Sequence, residues 1–239
     1  MRAWLALRNE SHYRRDAFER GLKACGYEVR NGVTMHPGPR DILVIWNRYG
    51  ENDRAAKMFE RFQRPVIVAE NALWGNDFAG ERWFSLALGH HNTAGRFPIG
   101  GPERWASINT RLSPWRDGGK EIVILPQRGI GVAGVAMPHG WADRVKADCG
   151  GRVRRHPGKT ERTALRDDLA NASMVRTWGS GAAVKALLWG IPVKSDMPGW
   201  IAAQDNTDAG RLAMFQRLAW ATWRIEEVGK GEPFKWLLG

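Results

Sequence analysis

The segment from Thr177 to Val193 reads TWGSGAAVKALLWGIPV, and it joins a glycine-serine-glycine turn to an apolar helix. The residues before it, SMVRTW, have the composition of a strand, so strand, turn and helix follow one another here. Gly190 and Pro192 predict the end of the helix and the start of a further strand. A strand, a covering helix and a second strand form the repeating unit of a parallel α/β sheet.

The same alternation runs through both halves of the chain. In the first half, Ala3 to Leu7, DILVIWN and PVIVAEN are continuous apolar runs separated by amphipathic stretches, the first with Ser11 as its N-cap candidate. In the second half, EIVILPQ, RVRRHPG, SMVRTW and IPV alternate with helical segments. Short connections of this kind imply right-handed crossovers. The sequence therefore predicts an α/β protein with two Rossmann-like lobes facing a central cleft.

We divide the chain into an N-terminal lobe (1–117), a C-terminal lobe (118–209) and a C-terminal helix and tail (210–239). The first boundary lies near RDGGK, after a stretch rich in Gly, Pro and Trp. The segment AGRLAMFQRLAWATWRIEEV has helical periodicity and predicts one amphipathic helix that packs back on a lobe. The apolar face of this helix contains Leu212, Phe215, Leu218, Ala219 and Trp223.

The overall charge of the 239 residues is strongly positive. A net charge of +11 and a pI near 10.2 favour polyanionic partners, above all nucleic acid. No apolar run approaches the roughly 20 residues of a membrane helix, and the N-terminus has no cleavage signal. Cys25 and Cys149 are too few for a disulfide framework and too far apart for a metal clip. We therefore expect a cytoplasmic protein without membrane contact.

The turn at Gly179, Ser180 and Gly181 suits a phosphate group. A helix N-terminus offers unpaired N–H groups and a positive dipole end, the glycines allow close approach, and Ser180 adds a hydroxyl. The turn lacks the Gly-Lys-Ser/Thr ending of a Walker loop and is not GxGxxG. A turn that only packs a strand against its helix is an equal alternative when this stretch is taken alone.

Polar residues also follow the other strands of the second half, and the carboxyl ends of parallel strands line one edge of a sheet. The predicted phosphate-binding group at this edge consists of Gln127, Arg128, Arg154, His156, Thr177, Gly179, Ser180 and Gly181.

This order of elements resembles the donor-binding lobe of GT-B glycosyltransferases, in particular the capsule-polysaccharide, Kdo-transferase-like group. The resemblance rests on a strand-end Gln, the His156-Pro157 pair and the run DLANASMVRTWGSGAAVKALLWGIPV. In the N-terminal half, PVIVAENALWG and WFSLALGHHNTAG are similar to segments of that group. Two positions depart from it, because Ala72 replaces a usual Gly and Lys185 an expected acidic residue.

The resemblance implies a GT-B-like fold, a nucleotide sugar as co-substrate in the group of residues given above, and transfer without a metal or other cofactor. The sequence contains no Asp-x-Asp for a metal. An acceptor hydroxyl needs a general base, for which Glu70 at the end of PVIVAE is the first candidate and Asp53 the second. The alternative for Glu70 is a capping carboxylate paired with an arginine. The acceptor-binding candidates are His12, Tyr13, Arg14, Arg15, His90 and His91.

We interpret the acceptor as double-stranded DNA because of the basic excess. The enzyme would then act like bacteriophage transferases that glycosylate hydroxymethylated pyrimidines in the host cytoplasm, with the target base taken out of the stack. A glycan or lipid acceptor is one alternative. A non-catalytic DNA-binding protein on a degenerate transferase fold is another, and an epimerase or phosphorylase using the same cleft is a third.

Overall fold

The structure is a computed structural model that describes residues 1–90, 94–127, 129, 134–155 and 163–239. Its strands, numbered along the chain, are β1 (Arg2–Ala6), β2 (Glu28–Asn31), β3 (Ile42–Trp46), β4 (Val66–Asn71), β5 (Asp77–Phe78), β6 (Glu81–Leu88), β7 (Glu121–Leu125), β8 (Arg152–Val153), β9 (Ala172–Thr177), β10 (Val193–Ser195) and β11 (Thr222–Arg224). Its helices are α1 (Arg15–Ala24), α2 (Glu51–Arg61), α3 (Glu103–Ser107), α4 (Trp141–Cys149), α5 (Leu165–Asp168), α6 (Gly181–Leu188), α7 (Asp208–Ala219), α8 (Ile225–Lys230) and α9 (Glu232–Leu238).

The chain forms two compact units. The first unit comprises Met1–Arg104 and Arg217–Gly239, and the second comprises Trp105–Gln216. These bounds differ from the predicted 1–117, 118–209 and 210–239.

The segment before β7 lies in the second unit because of its backbone contacts there. Ser113 N–H donates to Leu188 O at 3.1 Å, and Arg116 N–H donates to Gly190 O at 2.7 Å. The end of the chain returns to the first unit, where Arg104 forms an ion pair with Glu227 at 2.9 Å.

The sheet of the first unit has the order β11-β6-β4-β3-β1-β2, with β5 paired to β6. Neighbours from β4 to β2 are parallel, whereas β6 runs antiparallel to both β4 and β11. Successive side chains alternate between two helical layers. Ile42 and Val44 pack with α1, α8 and α9, while Leu43 and Ile45 pack with α2.

The sheet of the second unit has the order β10-β9-β7-β8 and is parallel throughout. Thr177, at the end of β9, pairs in register with Leu125 of β7 and Ser195 of β10. The carboxyl ends of these strands therefore meet at one edge, as expected for a Rossmann-like unit.

Two local predictions are wrong. Ser11 is not the N-cap of α1, because Ser11–Tyr13 forms a 3-10 turn and Arg14, at φ 46°, precedes the helix. The predicted C-terminal helix is interrupted by β11, since α7 ends at Ala219 and the chain then pairs with the edge of β6, where Leu86 N–H donates to Ala221 O at 2.8 Å. Tertiary pairing thus overrides helical periodicity here.

The predicted apolar face of that helix is also divided between elements. Phe215, Leu218 and Ala219 are buried on α7, but Leu212 is 40% exposed. Trp223 is buried on β11, where the guanidinium of Arg104 lies 3.7 Å from its ring centroid. None of the described helices is long and apolar enough to cross a membrane.

Candidate functional site

The turn from β9 to α6, residues 177–181, is held by side-chain hydrogen bonds. Thr177 is fully buried, and its hydroxyl donates to Leu125 O at 2.9 Å and accepts from Ser180 N–H at 2.9 Å. The Ser180 hydroxyl accepts from Ala182 N–H at 3.3 Å, which makes Ser180 the N-cap of α6. Thr177 thus supports the turn from within, whereas Ser180 is half-buried.

The groups left for a ligand are at the first residue of the helix. Gly181 N–H has no hydrogen-bond acceptor among the described residues. The Ser180 hydroxyl accepts in its bond with Ala182, so its hydrogen remains available for donation. Together with the positive end of the helix dipole, these donors suit an anion such as a diphosphate.

Gly179 brings a second predicted residue to the turn. Its φ of +72° favours glycine, and a Cβ there would lie 2.5 Å from Met197 Sδ and 3.2 Å from Trp200 Cδ1. The same Cβ position is 3.4 Å from Nε2 of Gln127, which follows β7. Gln127 and Gly179 are therefore neighbours in space. They are far apart in the sequence, as are Leu125 of β7 and Thr177 of β9, which are hydrogen-bonded across 52 residues.

Arg154, after β8, forms an ion pair in the structure. Its Nε donates to an oxygen of Asp168, and its side chain is only 15% exposed. Its charge is therefore already compensated by a carboxylate. The remaining two predicted members of this group, Arg128 and His156, lie outside the described residues.

Sequence reasoning missed Asp196, which directly follows β10 at the same edge. Asp196 N–H donates to Thr177 O at 3.0 Å, and its carboxylate accepts from Trp141 Nε1 and from Arg176, each at 3.0 Å. It therefore ties β9, β10 and α4 together. The rule that selected Gln127, a polar residue directly after a strand, would also have selected Asp196.

Lys185 is a half-buried cation on α6. Burial lowers the pKa of its ammonium, and no carboxylate lies within 4 Å of it in the part of the chain that the structure describes. A charge in this environment destabilises the folded chain unless a ligand compensates it.

We expect Lys185→Met to raise the free energy of unfolding at pH 7 by about 1 kcal/mol, because it removes this charge and keeps the apolar stem. In the wild type, the unfolded chain binds the extra proton between the lowered folded pKa and the ordinary value of 10.5, so the Lys185 contribution to stability rises with pH there. The advantage of the variant should therefore shrink toward pH 10.5 in urea unfolding curves. An advantage that stays constant with pH contradicts this expectation.

A cavity of about 690 Å³ opens at the carboxyl edge of β1 in the first unit. We call it the arginine cavity, and its lining residues are Asn9, Glu10, Ser11, His12, Arg14, Arg15, Asp16 and Arg82. The structure thus brings together three of the predicted acceptor-binding residues. Tyr13, the fourth, packs beside them on Trp46, with ring centroids 4.8 Å apart.

Sequence reasoning missed Arg82 because its position depends on the direction of β6. An antiparallel β6 places its first residues beside the last residues of β4, with Phe84 opposite Asn71. The start of β6 therefore lies at the same edge as the end of β1, which no local pattern indicates.

Glu70 lies on the other face of this sheet. In β4, Ile67 and Ala69 pack with the α1 layer, so the alternation of side chains directs Glu70 to the α2 layer, opposite Ser85 in register. Arg82 and Phe84 belong to the α1 face by the same alternation. Glu70 is accordingly not among the described residues that line the arginine cavity.

Asp53, the second base candidate, is bound by cations. Arg48 Nε donates to it at 3.0 Å, and Lys57 Nζ lies 2.7 Å from its other oxygen. Burial alone would raise the pKa of Asp53, but the hydrogen bonds from Lys57 and Arg48 outweigh burial and lower it. A carboxylate with a lowered pKa is a weak proton acceptor at neutral pH.

His90 lies away from the other predicted acceptor residues. Gly89 N–H donates to Val66 O at 2.8 Å, so the chain after β6 is at the edge where β4 begins, not where it ends. Burial and the nearby charge of Arg48 lower the pKa of His90. His91 lies outside the described residues. Among the residues that are described, no group of three His, Cys, Asp or Glu side chains could hold a metal ion.

Each of the two units is an α/β layer with parallel strands, as the sequence predicted, and the chain has a GT-B-like glycosyltransferase fold. The chain is similar over 98% of its length to the beta Kdo 2,7 transferase of KpsC from Thermosulfurimonas dismutans, with a TM-score of 0.51, 12% identity and 99% of that chain covered.

The chain is also similar to the beta Kdo 2,4 transferase of KpsC from the same organism. The TM-score is 0.53 and the identity 14%, with 91% of this chain and 90% of the other covered. No protein-family model matches the sequence, and no curated protein matches it either. At this level of identity the likeness concerns the fold.

Proposed function

We propose that the protein is a glycosyltransferase that moves a sugar from a nucleotide-sugar donor to an acceptor hydroxyl. One observation carries the proposal: the turn at residues 177–181 presents an unpaired Gly181 N–H and a Ser180 hydroxyl beside Gln127, in a fold shared with two sugar transferases. Donors at a helix N-terminus suit the diphosphate or phosphate of a sugar nucleotide.

In this proposal the donors of the turn offset the negative charge that develops on the leaving phosphate. Gly181 N–H and the Ser180 hydroxyl lie at the same end of α6, and the amide nitrogen of Gln127 lies close to Gly179. Arg128 and His156 remain proposed members of the group. The chemistry needs no metal or other cofactor.

Thermal denaturation with UDP-, GDP- and CMP-sugars tests whether the protein binds a nucleotide-sugar donor. At least one nucleotide sugar should raise the melting temperature in proportion to the logarithm of its concentration. A panel without any stabilisation contradicts the proposed function.

We propose Glu70, a half-buried carboxylate near the carboxyl end of β4, as the general base. Glu70→Gln should lower kcat by about 100-fold or more while the affinity for the donor stays within twofold. Asp53→Asn is the matched control, and it should lower stability more than turnover. Unchanged turnover in Glu70→Gln assigns the base to another residue.

The acceptor that we propose is a hydroxymethylated pyrimidine in double-stranded DNA. The support is electrostatic, because basic residues exceed acidic residues in both units of this chain of net charge +11. Mass spectrometry of nucleosides, after incubation of hydroxymethylated DNA with the stabilising donor, should show a mass increase of one sugar. Modified glycan with unmodified DNA contradicts the DNA acceptor and retains sugar transfer.

A further inference from the structure

We infer that the arginine cavity binds the phosphate of a nucleotide unit in the acceptor. The assignment of this cavity to the acceptor rests on the proposed function, whereas binding of a nucleotide phosphate can be measured without any transfer. The cavity combines cationic side chains from two separate elements, the β1–α1 connection and the start of β6.

The residues that line the cavity carry a net positive charge. Arg15 donates to Asn31 Oδ1, a neutral partner, and no carboxylate lies within 4 Å of Arg15 in the described chain. Its guanidinium therefore faces the cavity without a compensating anion. A guanidinium with several N–H donors in a fixed fork suits a phosphate.

The acidic lining residues are compensated by arginines. Asp16 accepts from Arg20 at 2.8 Å and lies 3.8 Å from Arg14, and the hydrogen bond from Arg20 is the main cause that lowers its pKa. Glu10 lies 3.7 Å from Arg8. The cavity thus keeps a cationic excess although two carboxylates line it.

Arg82 is held in place by an ion pair with Asp77. Its Nε donates to Asp77 Oδ1 at 2.8 Å across the β5–β6 pair, and its side chain is 29% exposed. This contact fixes the direction of the guanidinium and leaves its remaining N–H groups for a ligand. A phosphate bound by Arg15 and Arg82 would receive charge-assisted donors from two separate elements.

The backbone at the cavity also favours an anion. Arg14 adopts the left-handed conformation at φ 46° and ψ 41°, which is unfavourable for a non-glycine residue. It precedes α1, a helix of ten residues whose N-terminus has no side-chain cap. Arg15 and Asp16, the first two residues of α1, line the cavity, so the positive end of this helix lies at it.

The size and the aromatic wall suit a whole nucleotide. A volume of about 690 Å³ is in the range of roughly 300–1,000 Å³ that small-molecule sites have. The His12 ring lies 5.1 Å from Tyr13 and 5.7 Å from Trp46, both edge-on, and His12 is exposed. An exposed ring of this kind can stack on a base while the arginines hold its phosphate.

The experiment is isothermal titration of the full chain with deoxycytidine 5′-monophosphate and with deoxycytidine. The monophosphate should bind at least tenfold more tightly than the nucleoside. Arg15→Gln and Arg82→Gln should each weaken its binding by about tenfold. Arg30→Gln is the matched control, because Arg30 is an exposed arginine of the same unit that pairs with Glu28 outside the cavity.

Equal weakening by Arg30→Gln means a non-specific charge effect and overturns the inference. So does tighter binding of glucuronate, an acidic sugar, which points to a glycan acceptor. The nucleotide could also enter the donor turn, so the titration is repeated with Gly181→Pro. Loss of binding there, with none in Arg15→Gln, assigns the nucleotide to the donor turn and overturns the cavity.

Failure of this inference is distinct from failure of the proposed function. Stabilisation by a nucleotide sugar with unchanged monophosphate binding in Arg15→Gln leaves the transferase proposal intact and removes the cavity from it. Absence of any donor effect with monophosphate binding lost in Arg15→Gln supports the cavity and contradicts sugar transfer.

Discussion

Gly181→Pro should weaken binding of the nucleotide-sugar donor by about 10- to 100-fold while the free energy of unfolding stays the same or rises slightly. Proline is favoured at the first position of a helix, and Ser180, at φ −66° and ψ 135°, already has the extended conformation that a residue before proline needs. The substitution removes an N–H that has no acceptor among the described residues. A hydrogen bond to a charged group contributes about 1.5–3 kcal/mol, which gives the expected range.

Gly181→Ala is the matched control because it keeps the N–H and is a good helix former. Donor affinity of this variant should remain within about twofold of the wild type. Titration with the nucleotide sugar found by thermal denaturation measures both variants. Equal donor affinity in the proline and alanine variants contradicts a phosphate at the N-terminus of α6.

Gly190→Ala should lower the free energy of unfolding by about 3 kcal/mol or more. Gly190 ends the α6 segment at φ +77°, where a side chain costs about 1 kcal/mol in itself. A Cβ there would also overlap the backbone oxygen of Pro114, in the segment that Gly190 O holds through Arg116 N–H. Relief of that overlap requires a backbone shift, and overpacking of this kind costs roughly 1–3 kcal/mol more.

Gly150→Ala separates the two causes. Gly150 ends α4 in the same unit at φ +67°, but a Cβ there would meet nothing within 4 Å. Its variant should therefore lose only about 1 kcal/mol, the conformational part. Urea unfolding followed by circular dichroism compares the two variants, and equal losses contradict a steric role for Pro114.

The alternation of strands and helices could be predicted from the sequence because it depends on local patterns. The apolar runs of β3, β4 and β7 are continuous, the helices between them have one apolar side, and glycines end several of them. The turn at Gly179 and Ser180 is equally local, since its φ and its N-cap depend on neighbouring residues.

The arginine cavity shows where local patterns become insufficient. His12, Arg14 and Arg15 were predicted because they follow a strand, and strand ends of a parallel sheet share an edge. Arg82 stands at the beginning of a strand, so it reaches the same edge only because β6 is antiparallel to β4. Strand direction depends on partners distant in sequence.

The sequence by itself thus determined two α/β units, their parallel strands and the capped turn before α6. These features depend on hydrophobic periodicity, helix caps and glycine conformation, all of which are set by residues close together in the sequence. The tertiary structure decided that β11 replaces part of a helix, that Glu70 and the arginine cavity lie on opposite faces of one sheet, and that Arg82 joins His12. The physical reason is that strand pairing, register and direction depend on backbone hydrogen bonds and burial between distant segments, and these outweigh local propensity.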